Sequence, residues 1–520
     1  MVSDATRAQI RAADPAQSTW LSANAGSGKT RVLTDRVARL LLAGTQPQRI
    51  LCLTYTKAAA SEMQNRLFAR LGKWAMQDEA SLRAELAELG VDGEISADLL
   101  ARARRLFARA IETPGGLKIQ TIHSFCASLL RRFPLEAGVS PGFRAMDERA
   151  VRLMHQEVID SLAAGLDVGA VDALAGLTPS DNLAQILVDI CQNSDAFGVA
   201  MDGPMARQLM GLPADYGWSR LLAEVFQGGE AELMAALIPL LLAGSGNDVK
   251  LGEMLAGLDF SAPDVSLLVA LEGPFLYGEK ANSPFAAKIG DVPKVALQRG
   301  AAAGLMPEFD ALMARVEAGR VRRLALMAAD RTQALHRFAA AFLPLYQARK
   351  AREGLLDFDD QISRAALLLS DRSVAAWVLY RLDGGIDHIL VDEAQDTSPG
   401  QWRVIEALAE EFTAGEGGRA AGRRVFVVGD AKQSIYSFQG ADLSTFQQVR
   451  DQFQARHGAA EMPFQALELL HSFRSSPAIL RTVDLTFSGA IQAGIGGRAE
   501  HLAYWGDLPG RVDIWPPVPP

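Results

Sequence analysis

The chain has 520 residues with 61 acidic and 52 basic side chains; the net charge of −9 excludes a simple polybasic nucleic-acid binder, though not a local basic channel. With 49% hydrophobic and 22% charged residues the chain reads as globular, long enough for roughly three or four domains and a large core that needs no covalent staple. Cys52, Cys126 and Cys191 lie far apart and the seven histidines show no ligand spacing, which excludes a disulfide framework and a zinc site and points to a reduced, cytoplasmic setting.

The first 18 residues are polar and carry Asp4 and Asp14, so no signal peptide is expected. A short apolar run, Thr19-Trp20-Leu21, leads into Ala23-Asn24-Ala25-Gly26-Ser27-Gly28-Lys29-Thr30, and a helix-like segment follows from Thr30 through Arg31 to Val37. Strand, small-residue loop, Lys-Thr and helix is the layout of a phosphate-binding loop, in which successive backbone N–H groups and the helix N-terminus point at one anion. Lys29 then reaches the β- and γ-phosphates, and the Thr30 hydroxyl ligates Mg²⁺. The usual opening glycine is Ala23 here, and a plain surface loop is the alternative reading.

Residues 48–55 are a buried-strand candidate running into a helix former at 58–67; residues 75–112 read as helical, 117–122 as a short strand and 124–132 as a helix. From about 145 to 350 the chain is rich in Ala, Leu and Met, with Gly/Pro breaks and no recognisable chemistry, and reads as a mostly helical insertion. Its most apolar run, 233–243, is too short to span a bilayer and contains Pro239, so a buried helix is expected and no membrane partner. After 355 the α/β signals return, with β-branched runs at 388–391 and 424–428 separated by a glycine-rich exposed loop at 411–423. Residues 512–520 look like a strand entering an extended proline segment.

Ile389-Leu390-Val391-Asp392-Glu393 is an apolar strand ending in paired carboxylates, a Walker B arrangement. Asp392 is expected to hold Mg²⁺ opposite Thr30, and Glu393 to orient the attacking water. Asp-Glu by itself would read as a solvated strand end; the upstream loop and the following Ala394-Gln395-Asp396-Thr397 favour the catalytic reading. Segment 429–441 follows another strand. Its Gln433 suits a residue that senses the γ-phosphate, Phe438 suits base stacking, and Tyr436 reads as ordinary core packing.

These segments, together with 54–60, 121–125 and Phe473-Arg474-Ser475, stand in the order of the superfamily 1A helicases, and the chain resembles the UvrD/Rep group. Residues 20–30 and Leu356-Asp357-Phe358-Asp359-Asp360 make it most similar to the AddA type, the RecB-like helicase–nuclease subunits that act on double-strand breaks. The resemblance implies an α/β fold: a RecA-like P-loop NTPase domain 1A (1–140 and 353–460), a large helical insertion 1B (141–352), and the start of a second RecA-like domain, 2A/2B (461–520), less well packed than the first. It implies ATP and Mg²⁺ as cofactors. It also assigns roles. Gln9 reads adenine; residues 23–31 bind ATP; Thr30 and Asp392 hold the metal. Lys29, Glu393, Gln433 and Arg474 are catalytic, Arg474 like an arginine finger. Tyr55, Thr56, Thr121, His123 and Phe438 fall where the family grips single-stranded DNA.

Gln439 stands where an Arg is usual, His471-Ser472 where Asn precedes the Phe-Arg pair, and Lys57 where Asn is common. The family's later motifs and nuclease domain have no match within 520 residues, so the chain is expected to be the N-terminal part of such a protein. The implied function is an ATP-dependent 3′→5′ DNA helicase in recombination and repair. Its implied partners are single-stranded DNA, duplex ends and, in a heterodimer, an AddB-like nuclease subunit. Two alternatives stand beside it: a fragment that binds nucleotide, DNA or partner without turnover, and a UvrD-type repair helicase without a nuclease.

Overall fold

In the computed structural model, residues 3–516 are described except 92, 115, 177–181, 245, 372, 383–384, 414–421, 438–439, 490 and 492–499. Most of the loop expected at 411–423 therefore lies outside the described residues. The described residues form ten strands: β1 (Ser18–Ala23), β2 (Ile50–Thr54), β3 (Lys118–Thr121), β4 (Arg144–Ala145), β5 (Leu355–Leu356), β6 (His388–Val391), β7 (Arg424–Gly429), β8 (Phe464–Leu469), β9 (His471–Ser472) and β10 (Leu502–Ala503).

Short runs that are apolar at nearly every position, such as Ile50-Leu51-Cys52-Leu53, suit strands covered on both faces, which is how parallel sheets are buried. Six strands form one such sheet in the order β3-β2-β6-β7-β1-β8, every neighbouring pair parallel. Alternate side chains leave by opposite faces. Trp20, Leu51, Leu53, Ile389 and Val427 join the core under helices Ile122–Arg132, Phe358–Ser370, Pro399–Thr413 and Leu443–Ala459. Leu21, Cys52, Leu390, Phe426 and Val428 join the core under helices Lys29–Leu42, Lys57–Met76, Glu79–Glu88 and Ala97–Ile111.

The sheet continues past residue 460. All six residues of β8 pair with β1, from Ser18 opposite Phe464 to Ala23 opposite Leu469. Residues 512–516, expected as a strand, are not one: they carry no ladder, and Ile514 and Trp515 are exposed. A β-pattern without a neighbouring strand edge has nowhere to place its backbone hydrogen bonds.

The chain divides into two compact units, residues 1–148 with 350–520, and residues 149–349. The second is helical, with the 48-residue helix Met306–Glu353 as its main element up to residue 349. Its core gathers Leu221, Leu237, Leu268, Phe275, Phe309 and Val316. At Gly319 a Cβ would sit 2.6 Å from Val225 Cγ2, so glycine permits that approach. Glu272 accepts two bonds from Arg323, 2.7 and 3.0 Å. The apolar run at 233–243 falls largely in helix Glu230–Leu242, which buries Leu233, Met234, Leu237 and Leu241 and leaves Ala235, Ala236 and Leu242 exposed. Among the described residues no single helix is long and apolar enough to cross a membrane; helices Trp218–Val225 and Glu230–Leu242 qualify only jointly, across a 50° bend.

Candidate nucleotide and nucleic-acid site

Parallel strands deliver all their carboxyl ends to one edge, where ligands of open α/β sheets bind. The loop after β1 turns through Gly26 (φ 75°) and Gly28 (φ 90°), left-handed positions that favour glycine, before helix Lys29–Leu42 begins. A Cβ on Gly28 would lie 2.7 Å from Gln9 Nε2, and one on Gly26 would lie 2.8 Å from Arg474 Cβ. The two glycines thus let Gln9 and Arg474 close on the loop. Gln9 Nε2 donates to the Ser27 carbonyl (2.8 Å), and the Phe473 N–H donates to the Gly26 carbonyl (2.9 Å). Asn24 and Ser27 are buried and Ala25 is exposed. Thr30 is half-buried, and Arg31 is exposed, 3.8 Å from Asp35. A cavity of about 230 Å³ opens beside this loop, lined by Gln9, Ser27, Leu469, His471 and Phe473 among others.

The end of β6 faces the same place. Lys29 Nζ lies 2.9 Å from Glu393 Oε2, joining residues 364 apart in sequence. Glu393 has φ 49°, a rare conformation for a non-glycine residue, and such strain collects at functional sites. Asp392 is 8% exposed; burial, and then the neighbouring Glu393 charge, push its carboxyl up to about 6. The same two causes push Asp396 up to about 6.

Gln395 is the hub that sequence reasoning missed. Its Nε2 donates to Glu393 Oε2 (2.9 Å) and to Asp396 Oδ2 (3.2 Å), and its Oε1 accepts from the Asp430 N–H (2.9 Å). Asp430 in turn accepts from Gln433 Nε2 and pairs with Lys432 (3.0 Å). A continuous polar relay therefore runs Lys29–Glu393–Gln395–Asp430–Gln433. Its only sequence signal was the position of a glutamine two residues beyond the paired carboxylates.

The donor set fits a magnesium nucleotide. Lys29 already holds an anionic oxygen, the Ser27 hydroxyl and Gln9 Oε1 are buried without a partner among the described residues, and the loop N–H groups have a glycine-built turn to present them. Among the described residues no three His, Cys, Asp or Glu side chains form a cation cage, and Mg²⁺ characteristically takes one or two protein oxygens, completing its shell with phosphate and water.

The nucleic-acid candidates follow the ends of β2 and β3, whose last residues Thr54 and Thr121 are register partners. Tyr55 is half-buried, its ring 4.6 Å from that of Tyr436 at 38°. Burial, then Asp396 and Tyr436, push its phenol up to about 12. Tyr436 was expected in the core and instead is only half-buried against Tyr55. Thr56 and Thr121 each cap a helix, accepting from the Ala59 and Ser124 N–H groups at 3.1 and 3.2 Å. The His123 ring meets Phe358 edge-on at 5.1 Å, and burial lowers its pKa. Phe438 and Gln439 lie outside the described residues. The loop and the Walker B segment meet at the Lys29–Glu393 contact and Arg474 stands against the loop at Gly26, with the threonines and aromatics after β2 and β3 as a second set along the same edge.

An all-parallel sheet with a glycine-built loop after β1 facing the acidic end of β6 defines the RecA-like class of P-loop folds. Residues 3–454 match the UvrD/REP helicase N-terminal domain, and the chain belongs to that family. It is similar to proteins named as the A subunits of ATP-dependent helicase/nucleases. That of Levilactobacillus brevis is 28% identical, over 92% of this chain and 38% of the relative. That of Desulfitobacterium hafniense is 27% identical, over 94% and 36%. That of Staphylococcus carnosus is 24% identical, over 92% and 38%. The chain spans under two fifths of the length of these curated relatives.

Proposed function

We propose that this chain is the motor portion of an AddA-type, ATP-dependent 3′→5′ DNA helicase. It would work in the cytoplasm on double-strand breaks, with single-stranded DNA and duplex ends as substrates and an AddB-like nuclease as its heterodimer partner. In this reading residues 1–140 and 353–460 are domain 1A, 141–352 are domain 1B, and 461–520 open domain 2A/2B, except that β8, paired along its whole length with β1, belongs to the sheet of domain 1A. The observation that carries it is the Lys29–Glu393 contact at the head of the polar relay.

Mg²⁺, held by Thr30 and Asp392, would neutralise phosphate charge. Lys29 exchanges the Glu393 carboxylate for phosphate oxygen, and Gln9 holds the base side of the loop. Glu393, released from Lys29, orients the water and accepts its proton. Gln433 and Arg474 spread charge at the γ-phosphate. Gln395 links Glu393 to Asp430 and Gln433, so a shift at the phosphate reaches the segment carrying Tyr436, whose ring packs tilted against that of Tyr55. Tyr55, Thr56, Thr121, His123 and Phe438 hold the strand.

Steady-state ATP hydrolysis with and without single-stranded DNA, beside Glu393→Gln, tests this. The expected result is DNA-stimulated turnover that falls on the order of 10²-fold or more in the variant while Mg·ATP binding persists. Binding without turnover in the unsubstituted chain supports the non-cycling fragment, and absence of nucleotide binding overturns the motor reading.

A further inference from the structure

The phosphate loop is fastened to a distant segment by a side chain to which the proposed chemistry gives no specific task. Asn24 is 4% exposed. Its N–H donates to the Leu469 carbonyl (3.2 Å) and its carbonyl accepts from the Ser27 N–H (3.1 Å). Its side-chain Nδ2 donates to the Glu500 carbonyl at 2.8 Å, 476 residues away. Two residues on, the Gly26 carbonyl accepts from Phe473.

The segment so gripped is held by the following bonds. The Leu502 and Tyr504 N–H groups donate to the Leu470 and Ser472 carbonyls, each at 2.9 Å, forming the β9–β10 ladder. His501 is anchored on Asp484, Nδ1 to Oδ1 2.6 Å. Ser472 also stands against the loop, since a Cβ on Gly26 would fall 2.9 Å from its Oγ. Loop, β9 and β10 therefore form one hydrogen-bonded stack. Asn24 is the side chain that ties its first and last layers, and a buried amide that loses its partner is penalised.

We infer that Asn24 is a positioning residue that couples the phosphate loop to segment 500–504, so that phosphate in the loop and order in β10 favour each other. The inference rests on the nucleotide-binding reading of the loop. Coupling between two sites is reciprocal, so the segment's docking also sets the loop's affinity.

Amide hydrogen exchange on the whole chain, with Mg·ADP as probe, tests it in the unsubstituted protein, Asn24→Ala and the isosteric Asn24→Asp, which removes the donor. In the unsubstituted protein, saturating Mg·ADP slows exchange in helix Lys29–Leu42 and slows Leu502 and Tyr504 on the order of 10-fold, within the usual range of coupling. In both variants, with Mg·ADP raised until the slowing in the helix is restored, the slowing at Leu502 and Tyr504 falls below about 2-fold. Amides of β2 and β6, unchanged across the three proteins without nucleotide, establish that the variants fold.

Retained slowing at Leu502 and Tyr504 in folded variants overturns the inference. So does loss of slowing in the helix that excess Mg·ADP does not restore, because Asn24 would then be a nucleotide contact. Slowing confined to the helix in the unsubstituted protein overturns the coupling alone. Absence of slowing anywhere overturns the nucleotide reading and the coupling with it.

Discussion

His388 shows how a single buried group sets an acid limit on this protein. It opens β6 at 6% exposure, with Nδ1 buried and without a hydrogen-bond partner among the described residues. Burial, then the Arg36 and Arg424 charges, lower its pKa to about 4. The folded chain therefore keeps the ring neutral where the unfolded chain would protonate it. The unfolded state binds more protons between about pH 6.5 and pH 4, so stability is lost as pH falls through that window. Between pH 7 and pH 5 this amounts to about 2 kcal/mol. His388→Phe should shrink the acid-side loss by that amount in urea unfolding at the two pH values. An unaltered pH slope would show that His388 is not the group responsible. Arg36, whose charge contributes to that shift, is itself buried over the Phe426 ring at 4.9 Å and bonded to the Asp14 and Gln17 carbonyls.

At the scale of elements, the start of helix Phe358–Ser370 depends on a buried cation. Asp357 caps it, accepting from the Asp360 N–H at 2.8 Å, while Asp360 Oδ2 accepts from the Asp357 N–H at 3.1 Å. Lys350 Nζ lies 2.6 Å from both carboxylates with its side chain 3% exposed. Removing one member of a buried ion pair strands the charge that remains. Lys350→Met should destabilise the unit by about 3–5 kcal/mol at pH 7. The deficit should narrow at pH 5, because Asp360, whose carboxyl burial and the neighbouring Asp357 charge push upward, can then take up a proton; denaturant unfolding at both pH values measures it. A loss that does not change with pH would point to packing instead of charge. Element identity was legible from local pattern in the apolar runs of β2, β6 and β7 and the Lys-Thr opening of helix Lys29–Leu42, all short-range signals, whereas the capping box of helix Phe358–Ser370 emerged only in the structure. Residues 512–516 carried the same kind of pattern and formed no strand, because pairing depends on a partner edge that no local window reveals.

At the scale of the whole molecule, the two compact units carry separate cores and are expected to unfold separately. Calorimetry should resolve two transitions, with Mg·ADP raising only the one belonging to residues 1–148 and 350–520. At a hundredfold excess over Kd the gain is about 2.7 kcal/mol. A single transition, or a shift of both, would show that the units unfold as one.

The amino-acid sequence by itself determined the strand–loop–helix grammar and the parallel α/β class, because periodicity, glycine placement and paired carboxylates act over a few residues. Sheet order decided the rest. It placed β6 two strands from β1 with β7 between, bringing Glu393 to Lys29, and added β8 beyond residue 460 as the neighbour of β1. It also produced the Gln395–Asp430 link, the Tyr55–Tyr436 pair and the Asn24–Glu500 tie. These last contacts join residues 35 to 476 positions apart, and a hydrogen bond or ring contact exists only once packing has set both partners within a few ångströms.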